Sequence, residues 1–233
     1  MPNGWPIWQN DNFFKFTLDA VVLAAFPVLR QDAKVIELGS GTGAVSLLLA
    51  ARDCQDITGV EINIDVYKLF CKSIELNKLN DKIKAVNADI LKVKEFFEAE
   101  SYSFVIANPP YRKVGHGRLR QSGAQTACHE GLAETKDFVK AARYLLKYSG
   151  KFALVHLPER LPEILACCAQ NKLEPKRLQL VHSFADKPPK LFLLEAIHGA
   201  KPGLKVLEPL VIYQNKYEYS EMLLSLYESF KCK

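Results

Sequence analysis

A short apolar strand that runs through three glycines into an apolar helix leaves a chain few folds to choose from. Residues 34–38 (Lys34-Val35-Ile36-Glu37-Leu38) are β-branched and apolar enough to be a buried strand, Gly39-Ser40-Gly41-Thr42-Gly43 follows, and 44–51 is an uninterrupted apolar helix. Strand, glycine turn and helix in that order form the first unit of a wound α/β sheet, where glycine lets backbone approach a ligand closely. The same rhythm continues. Strands are expected at 57–60, 83–86, 104–107 and 151–156, with helices at 66–77, 136–147 and 158–171 between or after them. Helix-length gaps between strands predict a largely parallel sheet.

Outside that rhythm lie an apolar helix at 20–29, a closing pair of strands at 178–183 and 191–197, and a C-terminal helix at 220–230. The stretch 205–213 contains Pro209 and is expected to be an edge strand or an extended arm. Thr17 and Asp19 stand where a helix cap belongs, and capping is the plain reading of both. No Pro/Gly/Ser-rich linker divides the 233 residues, so one domain over 1–233 is expected.

Acids close three successive strands: Glu37 within the first, Glu61 at the end of the second and Asp89 just past the third. In isolation Gly39, Gly41 and Ala44 match the dinucleotide pattern G-x-G-x-x-A, with Glu61 twenty residues beyond Gly41 as a ribose acceptor, so a nicotinamide or flavin enzyme is one reading. A Gly39-x-Gly41-x-Gly43 loop behind Glu37 suits S-adenosylmethionine better. A pyrophosphate would meet an unfavourable carboxylate there, whereas a cationic methionine end would be neutralised by it. Glu61 would then accept from ribose hydroxyls and Asp89 from an adenine amine.

The fourth strand leaves through Asn108-Pro109-Pro110-Tyr111. Two prolines stiffen the exit and remove two N–H donors. A side-chain amide, backbone carbonyls and an aromatic ring are thereby gathered at the carboxyl end of a strand, where open α/β sheets bind ligands. That set suits a planar group bearing NH2. Arg112, Lys113, Arg118 and Arg120 follow at once; solvated loop and phosphate contact are both open readings of them.

Glu37 through Gly43, then Glu61, Asp89 and Asn108-Pro109-Pro110-Tyr111 in that order resemble the class I S-adenosylmethionine-dependent methyltransferases of the amino-methylating N-P-P-Y type. Phe16-Thr17-Leu18-Asp19-Ala20, Ala127-Cys128-His129-Glu130 and Glu208-Pro209-Leu210-Val211-Ile212-Tyr213 extend the likeness to the YfiC-like tRNA (adenine-N6)-methyltransferase family, over nearly the whole chain. The resemblance implies a Rossmann-like class I methyltransferase: α/β, with a seven-stranded, mostly parallel sheet and helices on both faces. It implies S-adenosyl-L-methionine as cofactor, held by Thr17, Asp19, Glu37, Gly39, Gly41, Gly43, Glu61, Asp89 and Asn108, with residues 1–33 as a cofactor-covering segment. Asn108, Pro109, Pro110 and Tyr111 would be catalytic. Residues 112–130 would form the substrate loop, with Arg112, Lys113, Arg118 and Arg120 on RNA, and adenine 37 of tRNA1(Val) as the target.

Three other functions compete. Glutamine-N5 methylation of a release factor uses the same pocket, but 33 residues before the first strand are few for the helical domain such enzymes carry. An rRNA adenine is a second. A non-catalytic RNA-binding module on this fold is the third, and the intact acids, glycines and N-P-P-Y argue against it. Six cysteines without CxxC or ligand spacing predict reduced thiols, a cytoplasmic protein and no metal. No apolar run is long enough for a membrane span. The net charge of +5 is mild, and a monomer is the default expectation.

Overall fold

The computed structural model describes residues 1–10, 13, 17–30, 32–111 and 133–231. Nine strands among these form one sheet in the order β3-β2-β1-β4-β5-β7-β6-β8, with β9 also on β6. The first five are β1 (Lys34–Leu38), β2 (Asp56–Glu61), β3 (Ile83–Asn87), β4 (Tyr102–Ala107) and β5 (Leu146–His156), all parallel. β7 (Pro189–His198) runs antiparallel between β5 and β6 (Leu173–His182). The seven expected strands are all present. The two additional ones, β8 (Lys205–Val206) and β9 (Leu210–Val211), are two-residue pieces that pair in succession along the outer edge of β6. Pro209, which lacks an N–H, lies in the break between them. A separate hairpin, β10 (Tyr213–Asn215) with β11 (Glu218–Tyr219), leads to α7 (Glu221–Glu228).

Helices cover both faces. On one, α1 (Leu18–Ala25), α2 (Ala44–Ala51), α3 (Ile64–Leu76) and α7 share a core with Ile57, Phe104, Ile106 and Val155. On the other, α4 (Val93–Phe96), α5 (Thr135–Leu145) and α6 (Leu161–Gln170) pack on Ile36, Leu38, Val105 and Leu154. Both neighbours of Val105 on β4 therefore face the opposite core from Val105 itself, the period-two signature of a sheet buried on both sides.

Several boundaries differ from the sequence reading. The helix expected at 20–29 starts two residues earlier and ends at Ala25: Phe26 still takes helical angles and donates to Val22 O at 3.1 Å, but Pro27 has no N–H with which to continue the ladder. The carbonyls freed there are taken by two arginines. Arg52 donates to Ala24 O at 2.5 Å and to Pro27 O at 3.1 Å, and Arg177 donates to Phe26 O at 3.3 Å while lying 4.5 Å over the Phe26 ring. Buried Glu195 on β7 holds Arg177 at 3.3 Å and Lys151 at 3.7 Å. The helix expected to reach 147 stops at Leu145, and 146–150 already belongs to β5 through a bulge against β4. Ser149 takes a positive φ of 63° there, and a side chain on Gly150 would lie 2.8 Å from Lys147 O. Residues 158–171 divide into a 3-10 turn, Pro158–Arg160, and α6.

Pro6 and Trp8 fasten the N-terminal stretch to α3. Trp8 N–H donates to Ser73 Oγ at 2.9 Å, Asn77 Nδ2 donates to Pro6 O at 2.9 Å, and Lys72 sits 5.7 Å over the Trp8 ring.

Phe70 of α3, fully buried, wedges between the strand β2 and the glycine turn. A Cβ on Gly59 would lie 2.4 Å from Phe70 Cε1, and one on Gly43 would lie 2.0 Å from Phe70 Cδ2. Gly59→Ala should therefore lower unfolding free energy by about 1–3 kcal/mol, the usual cost of overpacking. Adding Phe70→Leu should recover part of that loss in urea unfolding. A Gly59→Ala protein as stable as the parent would remove this contact as the reason for the glycine.

Candidate active site

The glycine turn sits at the carboxyl edge of β1. Gly39, Gly41 and Gly43 take φ values of 69°, 56° and 86°, a region in which other residues are strained. Their reasons differ. Gly41 faces open space, since an added Cβ would meet no atom within 4 Å. Gly39 is backed by Phe138 of α5 at 3.2 Å. Gly43 leaves room for Phe70 and is the left-handed residue ahead of α2.

The three acids lie on adjacent strands at this edge, and each is already engaged. Glu61 accepts from Gly41 N–H at 2.9 Å through one oxygen and from Asn63 N–H at 2.8 Å through the other, so it tethers the crest of the glycine turn to the end of β2. Burial pushes its carboxyl up, against those bonds. Glu37 is 2% exposed, and one of its oxygens takes both the Ser46 N–H at 3.0 Å and the Ser46 hydroxyl at 2.5 Å. Burial pushes it up to about 8, the Ser46 bonds pull the other way, and the charge of Glu61 adds to the rise. Without a cationic partner, burial favours the protonated form of Glu37. Asp89, half-buried, caps the 3-10 turn Ile90–Lys92 by accepting from Leu91 N–H at 2.9 Å.

The exit of β4 lies beside this turn. The ladder pairs Leu38 with Ala107, so Gly39 and Asn108 leave their strands side by side. Asn108 is half-buried, Pro109 buried and Pro110 exposed. Among the described residues the Asn108 side-chain amide takes no protein hydrogen bond. Tyr111 reaches elsewhere: its hydroxyl donates to Asp19 Oδ2 at 2.5 Å. Burial and then the Asp19 carboxylate push its phenol up, so it stays a donor. Asp19 thus fastens α1 to the exit loop. Thr17 occupies the N-cap position of α1, exposed, with no side-chain cap bond, so its expected side-chain cap is not formed.

One residue that the sequence reading passed over closes the group. His156, the last residue of β5 and wholly buried, has its ring 5.2 Å from that of Tyr111 and stacked at 6.5 Å on Phe192. Its Nδ1 accepts from Leu157 N–H at 2.8 Å, and its Nε2 lies 3.2 Å from Thr135 Oγ1 at the start of α5. Burial pulls the imidazole down to about 4; Arg160 adds to this, while Glu159 and Glu163 oppose it. The signal in the sequence was the one used for the acids, a polar residue at the carboxyl end of a strand. Arg112, Lys113, Arg118, Arg120, His129 and Glu130 lie outside the described residues.

The donor set fits S-adenosylmethionine. Gly41 leaves an open crest, and Glu61 and Asp89 offer acceptors on the neighbouring strand ends. Glu37 is a carboxyl poised to ionise beside a cation. Among the described residues no cluster of three or more His, Cys, Asp or Glu could hold a metal ion, and no helix is long and apolar enough to cross a membrane.

Comparison with known proteins agrees with this geometry. A tRNA1(Val) (adenine(37)-N6)-methyltransferase of Tolumonas auensis is 29% identical over 93% of this chain and 89% of its own length. A protein of the same name from Trichodesmium erythraeum is 26% identical over 97% of this chain and 95% of its own. A crystal structure described as a predicted O-methyltransferase from Agrobacterium tumefaciens superposes with a TM-score of 0.74 at 21% identity, covering 92% of this chain and 98% of that one, which establishes a shared fold. The model of the methyltransferase small domain matches residues 17–165, a span that holds the glycine turn, all three acids, the Asn108 exit and His156. This chain belongs to the methyltransferase small domain family.

Proposed function

We propose that the protein transfers a methyl group from S-adenosylmethionine to the exocyclic N6 amine of an adenine in RNA, with adenine 37 of tRNA1(Val) as the substrate. The observation that carries the reading is the register that sets Asn108, whose amide is unengaged among the described residues, next to Gly39 at the strand exits. The activity for which relatives aligning over nearly the whole chain are named supports the choice of nucleic acid. In this reading residues 1–33 cover the cofactor and 112–130 form the substrate loop of a single domain spanning 1–233.

When bound, the cofactor supplies an electrophilic methyl group with a neutral leaving group. The chain's own residues bind and orient. Glu61 and Asp89 hold the nucleoside end, Glu37 faces the cationic end, and Gly39 and Gly41 let backbone come close. An aromatic amine is a weak nucleophile because its lone pair is delocalised into the ring. Asn108 Oδ1 and the Pro109 carbonyl would accept its two N–H bonds and favour a more tetrahedral nitrogen with its lone pair directed at the donor. The base must leave its stack to reach this pocket, and the part of the Tyr111 ring not turned to His156 is the plate it would rest on. Pro110 keeps that exit rigid. The proton can depart to water after transfer, so positioning and electrostatics carry the rate. Arg112, Lys113, Arg118 and Arg120 all lie within nine positions after Tyr111 in the chain and would contact phosphates flanking the target.

Three measurements test this reading. Asn108→Ala should reduce kcat for adenine methylation by roughly 10²–10³-fold, the usual loss when an oriented polar contact to the reacting group is removed. Its cofactor affinity by calorimetry should stay within a few-fold of the parent, and robust turnover would sink the mechanism. The combined replacement of Arg112, Lys113, Arg118 and Arg120 by Ala should weaken RNA binding and flatten its salt dependence, by up to about 0.9 in slope per lost phosphate contact. Unchanged filter-binding affinity would remove those residues from the interface.

The third measurement concerns Glu37. It is protonated below about 8 in the free protein, and a cationic ligand favours the ionised form, so binding must release a proton below that pH. Cofactor affinity should then climb with pH, by at most about tenfold per pH unit, and level off above about 8. Calorimetry at neutral pH in buffers of different ionisation enthalpy reads the released proton directly. Glu37→Gln should abolish the release; a parent protein that binds without releasing a proton would separate Glu37 from the cationic end.

A further inference from the structure

The two borders of the segment 112–132 meet at one buried ring. Tyr111 lies at its start, with ring centroid 5.2 Å from that of His156, and Thr135 lies just past its end, with Oγ1 3.2 Å from His156 Nε2. We propose that His156 is a positioning residue for methyl transfer, bracing the exit loop of β4 against the start of α5 so that Asn108 and Tyr111 present the target base in a fixed pose. The proposal rests on the reading of Asn108-Pro109-Pro110-Tyr111 as the amine pocket.

The tautomer follows from the partners. A backbone amide can only donate, so Leu157 N–H at 2.8 Å obliges Nδ1 to be an acceptor. The single ring proton is therefore on Nε2, which donates to Thr135 Oγ1. A second proton on Nδ1 would face the Leu157 N–H, and burial with Arg160 nearby opposes it as well, outweighing Glu159 and Glu163. The ring cannot turn over without losing both bonds, and Phe192 closes its face opposite in the sheet, paired with His156 across β5 and β7. Tyr111 is then held from two sides, by His156 at its ring and by Asp19 at its hydroxyl. No general-base role follows, since both ring nitrogens are already engaged and the residue is wholly buried. What the ring controls is the pose of the loop, and in-line transfer is sensitive to that: a misplacement of about 1 Å costs on the order of 10²-fold.

Three variants test the assignment: His156→Phe keeps an aromatic ring and removes both hydrogen bonds, His156→Gln can still reach Thr135 with an N–H, and Thr135→Val removes the acceptor without changing size. In the full-length protein with saturating RNA and cofactor, His156→Phe should lower kcat by roughly 10–100-fold while RNA KM and cofactor Kd stay within about threefold. His156→Gln should recover most of the loss, and Thr135→Val should lower kcat in the same direction. A folded His156→Phe protein with the parent's kcat overturns the proposal, as does a Gln variant no better than Phe or a cofactor affinity that falls in step with kcat. Where His156→Phe fails to fold, Thr135→Val decides: parental kcat overturns the proposal, a selective loss supports it. A parent protein inert on adenine-containing RNA would defeat the functional reading instead. Hydrogen exchange then reads the brace alone: Thr135→Val should raise amide exchange in peptides covering 104–111 and 133–139, and unchanged exchange in both overturns it.

Discussion

The backbone ladder between β1 and β4 is the constraint on which the site depends. Its pairing of Leu38 with Ala107 brings two segments almost seventy positions apart in sequence to adjacent exits, a strand spacing of about 4.8 Å. A one-residue slip would turn every side chain of β4 to the opposite face, exchanging Phe104 and Ile106 for Val105 in two different cores. Because both faces are buried, that slip is forbidden by hydrophobic burial rather than by anything at the site. The chemistry inherits its geometry from the core.

Around this ladder, polar groups at the carboxyl edge serve the fold as well as any ligand. Glu61 ties the glycine turn to β2, Asp89 caps a 3-10 turn, and Glu37 bonds Ser46 near the start of α2. Each tether restricts the conformations open to its own stretch of this edge before a ligand arrives, which lowers the ordering cost of binding. The same economy holds α1 in place. Arg52 and Arg177 take the carbonyls past its last turn, Glu195 holds Arg177, and at the other end Asp19 takes the Tyr111 hydroxyl. The first helix of the chain is thereby docked on the loop that leaves the fourth strand.

The succession of strands and helices along the chain, the largely parallel sheet and the identity of the glycine turn were legible in the sequence because each is written in local pattern: short apolar runs, helical spacing, and glycine where φ must be positive. Chain ends of elements were less so. The early stop of α1 needed Pro27 to be weighed against an apolar run, and the early start of β5 is a bulge that exists only because β4 is beside it. The arm after residue 204 could be read as edge structure, but its division into β8 and β9 follows from what β6 has left unpaired.

By itself the sequence determined which residue types stand at the strand ends, and so the class of ligand and the amine-directed chemistry they suit. Tertiary structure alone decided how those residues divide their work. Gly43 is spent on Phe70, a contact with a residue of a later helix that no local pattern announces. Tyr111 bonds Asp19, ninety-two positions away, and leans on His156, whose value lies wholly in its neighbours. Local periodicity fixes elements because their hydrogen bonds are local; a site is made of side chains from different elements, and their distances exist only once the sheet has closed its register.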